Sequence, residues 1–584
     1  MRAYGLFYGA LFGSLAIETA GQFNNPPSVL IWCGKAYNAN NASFNPGGWL
    51  SPPEKSDVPL LDLRVYPRFQ VYTASEDSAT LVVDVEVSYR TGMPLCDYGG
   101  NNSVFYDTRS PGPPQLHLTV SDAADSSVLI SNAAVPLGSI GEELSISLGD
   151  LPAQSLPRDL EVTASLDGCT KTFKISTQIL RVPDRTDGGT VTKLDRKNGG
   201  LLVQDYKTAG SPLQPLLPYS YYVDWGGWLM NSTSQMNVFK SYGFNIIHIV
   251  PPGGPEPFNW TQFDAFMDRA DELQLWVMYD MRNTYLNLSS LEEQVNHLKS
   301  RKSLLTWYTA DEPDGNSDPL NGTTLAYQKL RELDPYRPVS LVLNCYNFHF
   351  PEYTAGADII MEDVYPIATN LTFSDQWNTT CNTTYGDCGC DDCFAPPGSI
   401  EDVRKRYEAF DDYESWLGWK EGPPKPIWGV PQAFGGSEYW KRPPTATEEA
   451  AMAMLRINNG AKGIVAWNWP TTMELANVTG MLARSLTQPA VTETLLGSQP
   501  IKLETNLADS KIDARLWRAK GKMLLSIVAV TTAGSDGEVV VQLPKKIDKV
   551  DSVVWGAGDS WNVHGKELRK SVLSGYEVDV FFVS

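Results

Sequence analysis

At 584 residues the chain is too long for one hydrophobic core, so roughly two to four domains are expected. Hydrophobic residues make up 42% and charged residues 20%, the balance of an ordinary soluble globular protein rather than a disordered or membrane-embedded one. The net charge of −21, with no dense cluster among the 47 Lys and Arg, excludes nucleic acid and anionic membrane as expected partners, since both require a basic patch.

The N-terminus, MRAYGLFYGALFGSLAIETA, places Arg2 before an apolar run of signal-peptide length, and Ala16 and Ala20 suit cleavage. A signal peptide over 1–20 is expected; it is too short to span a membrane, and no later stretch is long enough. The chain stops at the polar Ser584 without an apolar tail, so no lipid-anchor signal is expected. Ten Asn-x-Ser/Thr sequons start at Asn41, Asn101, Asn231, Asn259, Asn287, Asn321, Asn370, Asn378, Asn382 and Asn477. Glycosylation needs exposed asparagine in a secretory compartment, so a secreted, extracellular glycoprotein is expected. The eight cysteines are even in number, and Cys381, Cys388, Cys390 and Cys393 crowd into thirteen residues. A zinc knot would use the same four, but no histidine lies near them; disulfides are the better reading, with connectivity open.

Residues 30–185 carry short alternating strands such as LDLRVYPRFQVYT, ATLVVDVEVSY, LEVTASL and KTFKISTQIL, punctuated by Pro, Gly, Asp and Ser. That pattern predicts an antiparallel β-sandwich, with Cys96 and Cys169 as a pair that its strands could join. Residues 186–218 are polar and rich in Gly and Pro, and read as a linker. From 219 to 497, eight apolar runs alternate with amphipathic helical stretches: SYYVDWGGW, NIIHIV, LWVMYD, LLTWYTAD, VSLVLN, DIIMED, PIWGVPQ and GIVAWNW. Trp260, Phe263, Phe266, Met267, Ala270 and Leu273 stripe one helix. Ser290 with Glu293, and Thr445 with Glu448, read as capping boxes for two others. Eight such units in this length predict a (β/α)8 TIM barrel. The long connection between the sixth and seventh strands holds the Cys-rich insertion, on the face where loops wall a cleft. Residues 498–584 return to strands and predict a smaller C-terminal antiparallel β-sandwich. The expected fold is therefore α/β, a barrel flanked by two β-sandwiches.

The barrel is organised around LLTWYTADEPDG, residues 304–315. An apolar run breaks off at two carboxylates, a proline and a turn, which reads as a buried strand with Asp311 and Glu312 at its C-terminal end. Catalytic groups of such barrels gather at that end. Successive strand residues face opposite sides, so only one of the two is expected to face the cleft. The run resembles the fourth strand of clan A glycoside hydrolases, which ends in Asn-Glu-Pro with the Glu as acid/base; here Asp311 replaces the Asn. The sandwich–barrel–sandwich order is similar to that of the β-galactosidase and β-glucuronidase group. The resemblance implies a secreted hydrolase of O-glycosidic bonds acting on a carbohydrate substrate, with no metal and no organic cofactor. It implies Glu312 as acid/base, and Asp311 beside the hydroxyl next to the anomeric carbon.

Glycoside hydrolysis needs a second carboxyl. The family's nucleophile is a Glu ending the seventh strand, where this chain offers Gln432, and a neutral amide cannot attack. Three readings stay open. Glu438 in the next loop serves; or the role lies at the end of the sixth strand, MEDVYP, with Glu362 and Asp363; or the chain is a carbohydrate-binding or wall-structural protein on a degenerate barrel. The sixth strand is preferred, with Asp363 ahead of Glu362 because Asp363 and Tyr365 share a strand face. The fourth and sixth strands are not neighbours, which favours the wide spacing of an inverting pair. Asp224 and Asp280, ending the first and third strands, are further candidates, and Arg282 could partner a carboxylate. Sugars stack on aromatic rings through their C–H faces. Trp225, Trp228, Trp307, Tyr365, Trp467 and Trp469 are the candidates, with Trp467 and Trp469 as the best pair. The expected binding set is Asp311, Asp280, Tyr365, Trp467, Trp469 and Gln432. His248 reads as a hydrogen-bonded core histidine.

Overall fold

In the computed structural model, the residues described are 29–41, 47–95, 113–208, 211–230, 232–391, 393–418 and 422–584. The expected signal peptide, Asn101, Asn231 and Cys96 lie outside them. Eight parallel strands close a barrel in sequence order: β1 (Tyr219–Asp224), β2 (Ile246–Val250), β3 (Trp276–Asp280), β4 (Leu304–Asp311), β5 (Val339–Leu343), β6 (Ile359–Glu362), β7 (Ile427–Gly429) and β8 (Ile464–Trp469). Each is apolar on both faces because each serves two cores. Tyr222, Met278, Leu305, Tyr308, Val342, Met361, Trp428 and Val465 fill the barrel interior. Ile247, Val277, Trp307, Leu341, Ile360 and Ile464 face the surrounding helices.

Local signals account for most helix starts. Thr445 and Glu448 form the expected capping box at Ala446–Asn458. The other expected box is absent: Asn287, not Ser290, caps Leu288–Leu298, its side chain accepting from the Ser290 N–H. A short Asn side chain in extended backbone reaches that amide, so the helix begins a turn earlier than read. The run after β1 also differs from expectation, since Trp225–Leu229 forms a π-helical turn capped by Asp224. No described helix is long and apolar enough to cross a membrane.

Two four-stranded antiparallel sheets built from strands between Leu60 and Ile179 pack around their own core. A five-stranded and a three-stranded antiparallel sheet form the C-terminal unit, around Leu516, Leu525, Val541 and Phe581. Residues 186–218, read as a linker, carry a three-stranded sheet of Thr192–Leu194, Leu201–Val203 and Gln214–Leu216. Leu194, Leu201 and Val203 join the interior cluster with Ile246, Trp276 and Leu305, at the N-terminal strand ends, and so plug the barrel floor. Residues 29–41 do not join the sandwich that follows them. They cross the opposite end of the barrel, tied by the Cys33–Cys345 disulfide.

Candidate active site

Both carboxylates of the central strand reach the barrel mouth, for two local reasons. Between Tyr308↔Ser340 and Asp311↔Val342 the register of β4 against β5 shifts by one residue, a bulge that turns Asp311 to the same side as Tyr308. Glu312 then leaves the strand with φ +49°, in the left-handed region, and enters the short turn Pro313–Asn316. A non-glycine residue held there is strained, and such strain concentrates at functional sites. The alternation rule predicted one inward carboxylate; the bulge and the turn deliver two.

Asp311 is gripped from below. Tyr308 Oη donates to its Oδ1 and Arg282 Nη1 to its Oδ2, both at 2.5 Å. Arg282 also bonds Asp280 through Nε at 2.8 Å, and His248 Nε2 meets Asp280 Oδ2 at 2.8 Å. Burial alone would raise the Asp280 carboxyl, but Arg282 and His248 outweigh it and hold the group below its usual range. The His248 ring stacks on Tyr222 at 3.9 Å between centroids, and burial keeps its pKa low. Asp280 therefore lies beneath Arg282, buried, as a support for Asp311 rather than as a group facing the mouth.

Glu312 meets Asp363, which follows β6. The two carboxyls are near enough for each to shift the other's ionisation: Asp363 raises Glu312, and Glu312 lowers Asp363. Burial, then the negative charges of Asp363, Asp311 and Asp314, push Glu312 well above the ordinary carboxylate range. Asp363 is also raised by burial, but the hydrogen bonds from Glu312 and Asn344 pull the other way. Asn344 Nδ2 donates to Asp363 Oδ1 at 3.1 Å. Of the two, Glu312 is raised further and holds a proton the more readily.

Asp314 lies just behind, fully buried, its carboxyl accepting from the backbone N–H groups of Gly315, Asn344 and Cys345 at 2.9, 3.3 and 2.8 Å. Burial pushes its pKa up to about 8 despite those donors. Sequence reasoning passed over Asp314, Asn344, Tyr222 and Tyr308. The signal for Asp314 was present as a third acid in DEPD, but its burial depends on the β5 loop folding over it.

Several expected site residues lie elsewhere. Glu362 points out of the barrel, fully buried, and pairs with Arg456 from the helix Ala446–Asn458 at 2.5 Å. It precedes Asp363 by one residue, so strand alternation sends the two to opposite faces. Gln432 is buried, and its amide is spent on backbone: Oε1 accepts from Ile367 N–H at 2.9 Å, and Nε2 donates to the carbonyls of Ile367 and Phe434. It pins the loop after β6, with both amide hydrogens spent on backbone carbonyls. Glu438 is exposed on the loop after β7. Asp224 accepts from Gly227 N–H at 3.0 Å.

The aromatic candidates divide by face. Tyr365 and Trp467 belong to the interior cluster; Trp467 lies 5.1 Å from Tyr222, with the Arg282 guanidinium over its ring. Trp469 is on the outside, packed on Tyr221, Phe239 and Phe244. The pairing Tyr221↔Ala466 and Val223↔Trp469 sets two residues of β1 against three of β8, and this bulge separates tryptophans that regular alternation would keep together. Trp225, Trp228 and Trp307 likewise pack against Phe263, Phe239 and Tyr279 in the outer layer. Trp469→Ala should cost about 3–5 kcal/mol of stability, as a buried aromatic truncation does, and Trp467→Ala, half-buried at the mouth, should cost less. Thermal unfolding of both variants checks this.

Loops from distant segments wall the mouth. Tyr37 of the N-terminal strap stacks on Trp377 at 4.6 Å and 12°, and Trp377 Nε1 donates to Tyr439 Oη at 2.8 Å. Lys35 pairs with Asp391. Cys381–Cys388 and Cys390–Cys393 are disulfides, so these four sulfurs are not metal-binding thiolates.

No family model and no curated protein matches the sequence. Among solved structures, the chain is similar to a β-glucuronidase from Parabacteroides merdae, with 10% identity, 90% of this chain and 75% of that chain covered, and a TM-score of 0.31. It is similar to a glycosyl hydrolase family 2 member from Bacteroides cellulosilyticus, at 13% identity, 90% and 75% coverage and a TM-score of 0.32. A third is a glycoside hydrolase family 5 structure from Bacteroides vulgatus, at 11% identity, 63% and 89% coverage and a TM-score of 0.42.

Proposed function

We propose that the protein is a glycoside hydrolase acting on O-glycosidic bonds of a poly- or oligosaccharide, with Glu312 as general acid and Asp363 as its ionised partner. The observation that carries this reading is the group of carboxyls at the barrel mouth, with Asp311 held by Tyr308 and Arg282, Asp363 held by Asn344, and Glu312 raised by burial and by Asp363. A carboxyl kept protonated by burial and neighbouring negative charge can protonate a leaving group. Asp311, oriented by Arg282 and Tyr308, is placed to accept from a sugar hydroxyl, and Tyr365 and Trp467 offer ring faces. Screening the protein on aryl glycosides and natural oligosaccharides is the test: turnover of a natural glycoside by wild type that disappears in Glu312→Gln supports the reading. Glycan binding without turnover on any bound glycan favours the second reading, a binding or wall-structural protein, to which the backbone-bound Gln432 lends its weight.

The same reading includes secretion. Among the described sequons, Asn259, Asn287, Asn321, Asn370, Asn378, Asn382 and Asn477 are exposed and Asn41 is half-buried. At Asn259, Asn287, Asn370 and Asn382 the side-chain oxygen accepts backbone N–H groups, and these bonds do not use Nδ2, the glycosylated atom. The disulfides Cys33–Cys345, Cys381–Cys388 and Cys390–Cys393 suit an oxidising compartment.

A further inference from the structure

Ile31–Trp32 and Lys35–Ala36 form a small hairpin lying on the barrel mouth. Three contacts fix it there: the Cys33–Cys345 disulfide, the Lys35–Asp391 ion pair, and the stack of Tyr37 on Trp377. Its Trp32 ring presses on the turn beneath Glu312 so closely that a Cβ added at Gly315 would come within 2.4 Å of it. Trp32 Nε1 donates to Asn344 Oδ1 at 2.9 Å, and Asn344 Nδ2 donates to Asp363 at 3.1 Å.

We propose that Trp32 is a positioning residue for the carboxyl pair, holding the Asn344 amide so that its N–H faces Asp363. This rests on the reading of Glu312 and Asp363 given above. An indole N–H only donates and an ionised carboxylate only accepts. An amide between them is satisfied one way round, oxygen to Trp32 and nitrogen to Asp363. The rest of Asn344 cannot shift to compensate. Its N–H is bound by Asp314, and its carbonyl accepts from Arg406 Nη1 at 2.6 Å. The disulfide joins the residues next to Trp32 and next to Asn344, so the donor and the amide are held in register covalently. A donor on Asp363 favours its charged form and leaves the proton on Glu312. A hairpin some 300 residues away in sequence thus adds to the bias that keeps the proton on Glu312.

Trp32→Phe in the full chain keeps the ring and removes the donor. Asn344 Oδ1, buried, then lacks a partner, and its amide turns away from Asp363. The expected result is a kcat lower by about tenfold with KM nearly unchanged, and an acid limb of kcat/KM moved up by about one pH unit, the worth of one charge-assisted hydrogen bond. An infrared titration of the carboxyl bands, assigned with Glu312→Gln and Asp363→Asn, reads the same change without turnover. Asp363 should titrate at higher pH in Trp32→Phe and in Asn344→Leu, and the double variant should move it no further than either single one, because both cut one line of contacts. Benzothienylalanine at position 32, which has the shape of Trp without the N–H, is the second variant should Trp32→Phe not fold. An unchanged titration in either folded variant, or additive shifts in the double, overturns the proposal. A shifted titration in a protein that turns over no glycoside leaves Trp32 as the positioning residue and removes the hydrolase reading instead.

Discussion

Glu312→Gln should lower kcat on a natural glycoside by about 10²–10⁴-fold, the usual contribution of general acid catalysis. The substitution preserves size, and the new amide N–H can donate to Asp363 as the carboxyl proton did, so the Tm should hardly move. Dinitrophenyl glycosides, whose leaving group needs no proton, should lose much less. Asp363→Asn should harm both substrate types, because an ionised partner acts whatever the leaving group. It should also move the alkaline limb of the pH–rate profile to lower pH. Asp363 is, after burial, the charge that raises Glu312; neutralising it lowers the Glu312 pKa, and the acid form is lost earlier as pH rises. Measuring kcat/KM against pH for both variants on both substrates tests the assignment. Wild-type turnover of the natural glycoside by folded Glu312→Gln would place the acid elsewhere.

Arg456→Met should be among the most destabilising single changes in the barrel, at about 3–5 kcal/mol, because it leaves the Glu362 carboxylate buried without its partner. Both side chains are fully buried. Arg456 Nη2 also donates to the carbonyls of Val364 at 2.9 Å and Val430 at 3.4 Å, so the same guanidinium stitches the ends of β6 and β7. Met fills the volume but offers no donor. Glu362→Gln should cost less, since the amide still accepts from Arg456. Adding Glu362→Leu to Arg456→Met should recover part of the loss, because the double variant removes both buried charges and packs apolar groups in their place. The denaturant midpoint of the barrel transition is the measurement. If Arg456→Met unfolds at the wild-type midpoint, or if Glu362→Gln abolishes turnover in a fully folded protein, Glu362 is not the structural anchor this geometry makes it.

What the amino-acid sequence determined by itself was everything that depends on near neighbours along the chain. Eight runs of β-branched and aromatic residues, several with helix signals behind them, dictate eight strands with two buried faces, and such units close into a barrel. The Thr445–Glu448 cap, the burial of His248, and the emergence of Asp311 and Glu312 at a strand end follow from the same local rules. The choice of Asp363 over Glu362 followed only in part: alternation says the two face opposite ways, and the sequence has no mark for which way is inward.

The tertiary structure decided which side chains meet. A one-residue bulge in β4 turned Asp311 inward, and one in β8 sent Trp469 outward while Trp467 stayed inside. Neither bulge has a glycine or proline to announce it, because each arises from how a strand must slide against its neighbour to close the barrel. Gln432 was expected to bind substrate because it stands at the family's nucleophile position, but its amide is bonded to the backbone of the loop after β6. The link from Trp32 through Asn344 to Asp363 joins three chain segments, and a hydrogen bond across more than 300 residues leaves no trace in local composition. Strand identity is set by short-range sterics and hydrophobic pattern, which a sequence carries. The protonation of a carboxyl is set by the few ångströms around it, and only the closed barrel and the strap across it bring those groups together.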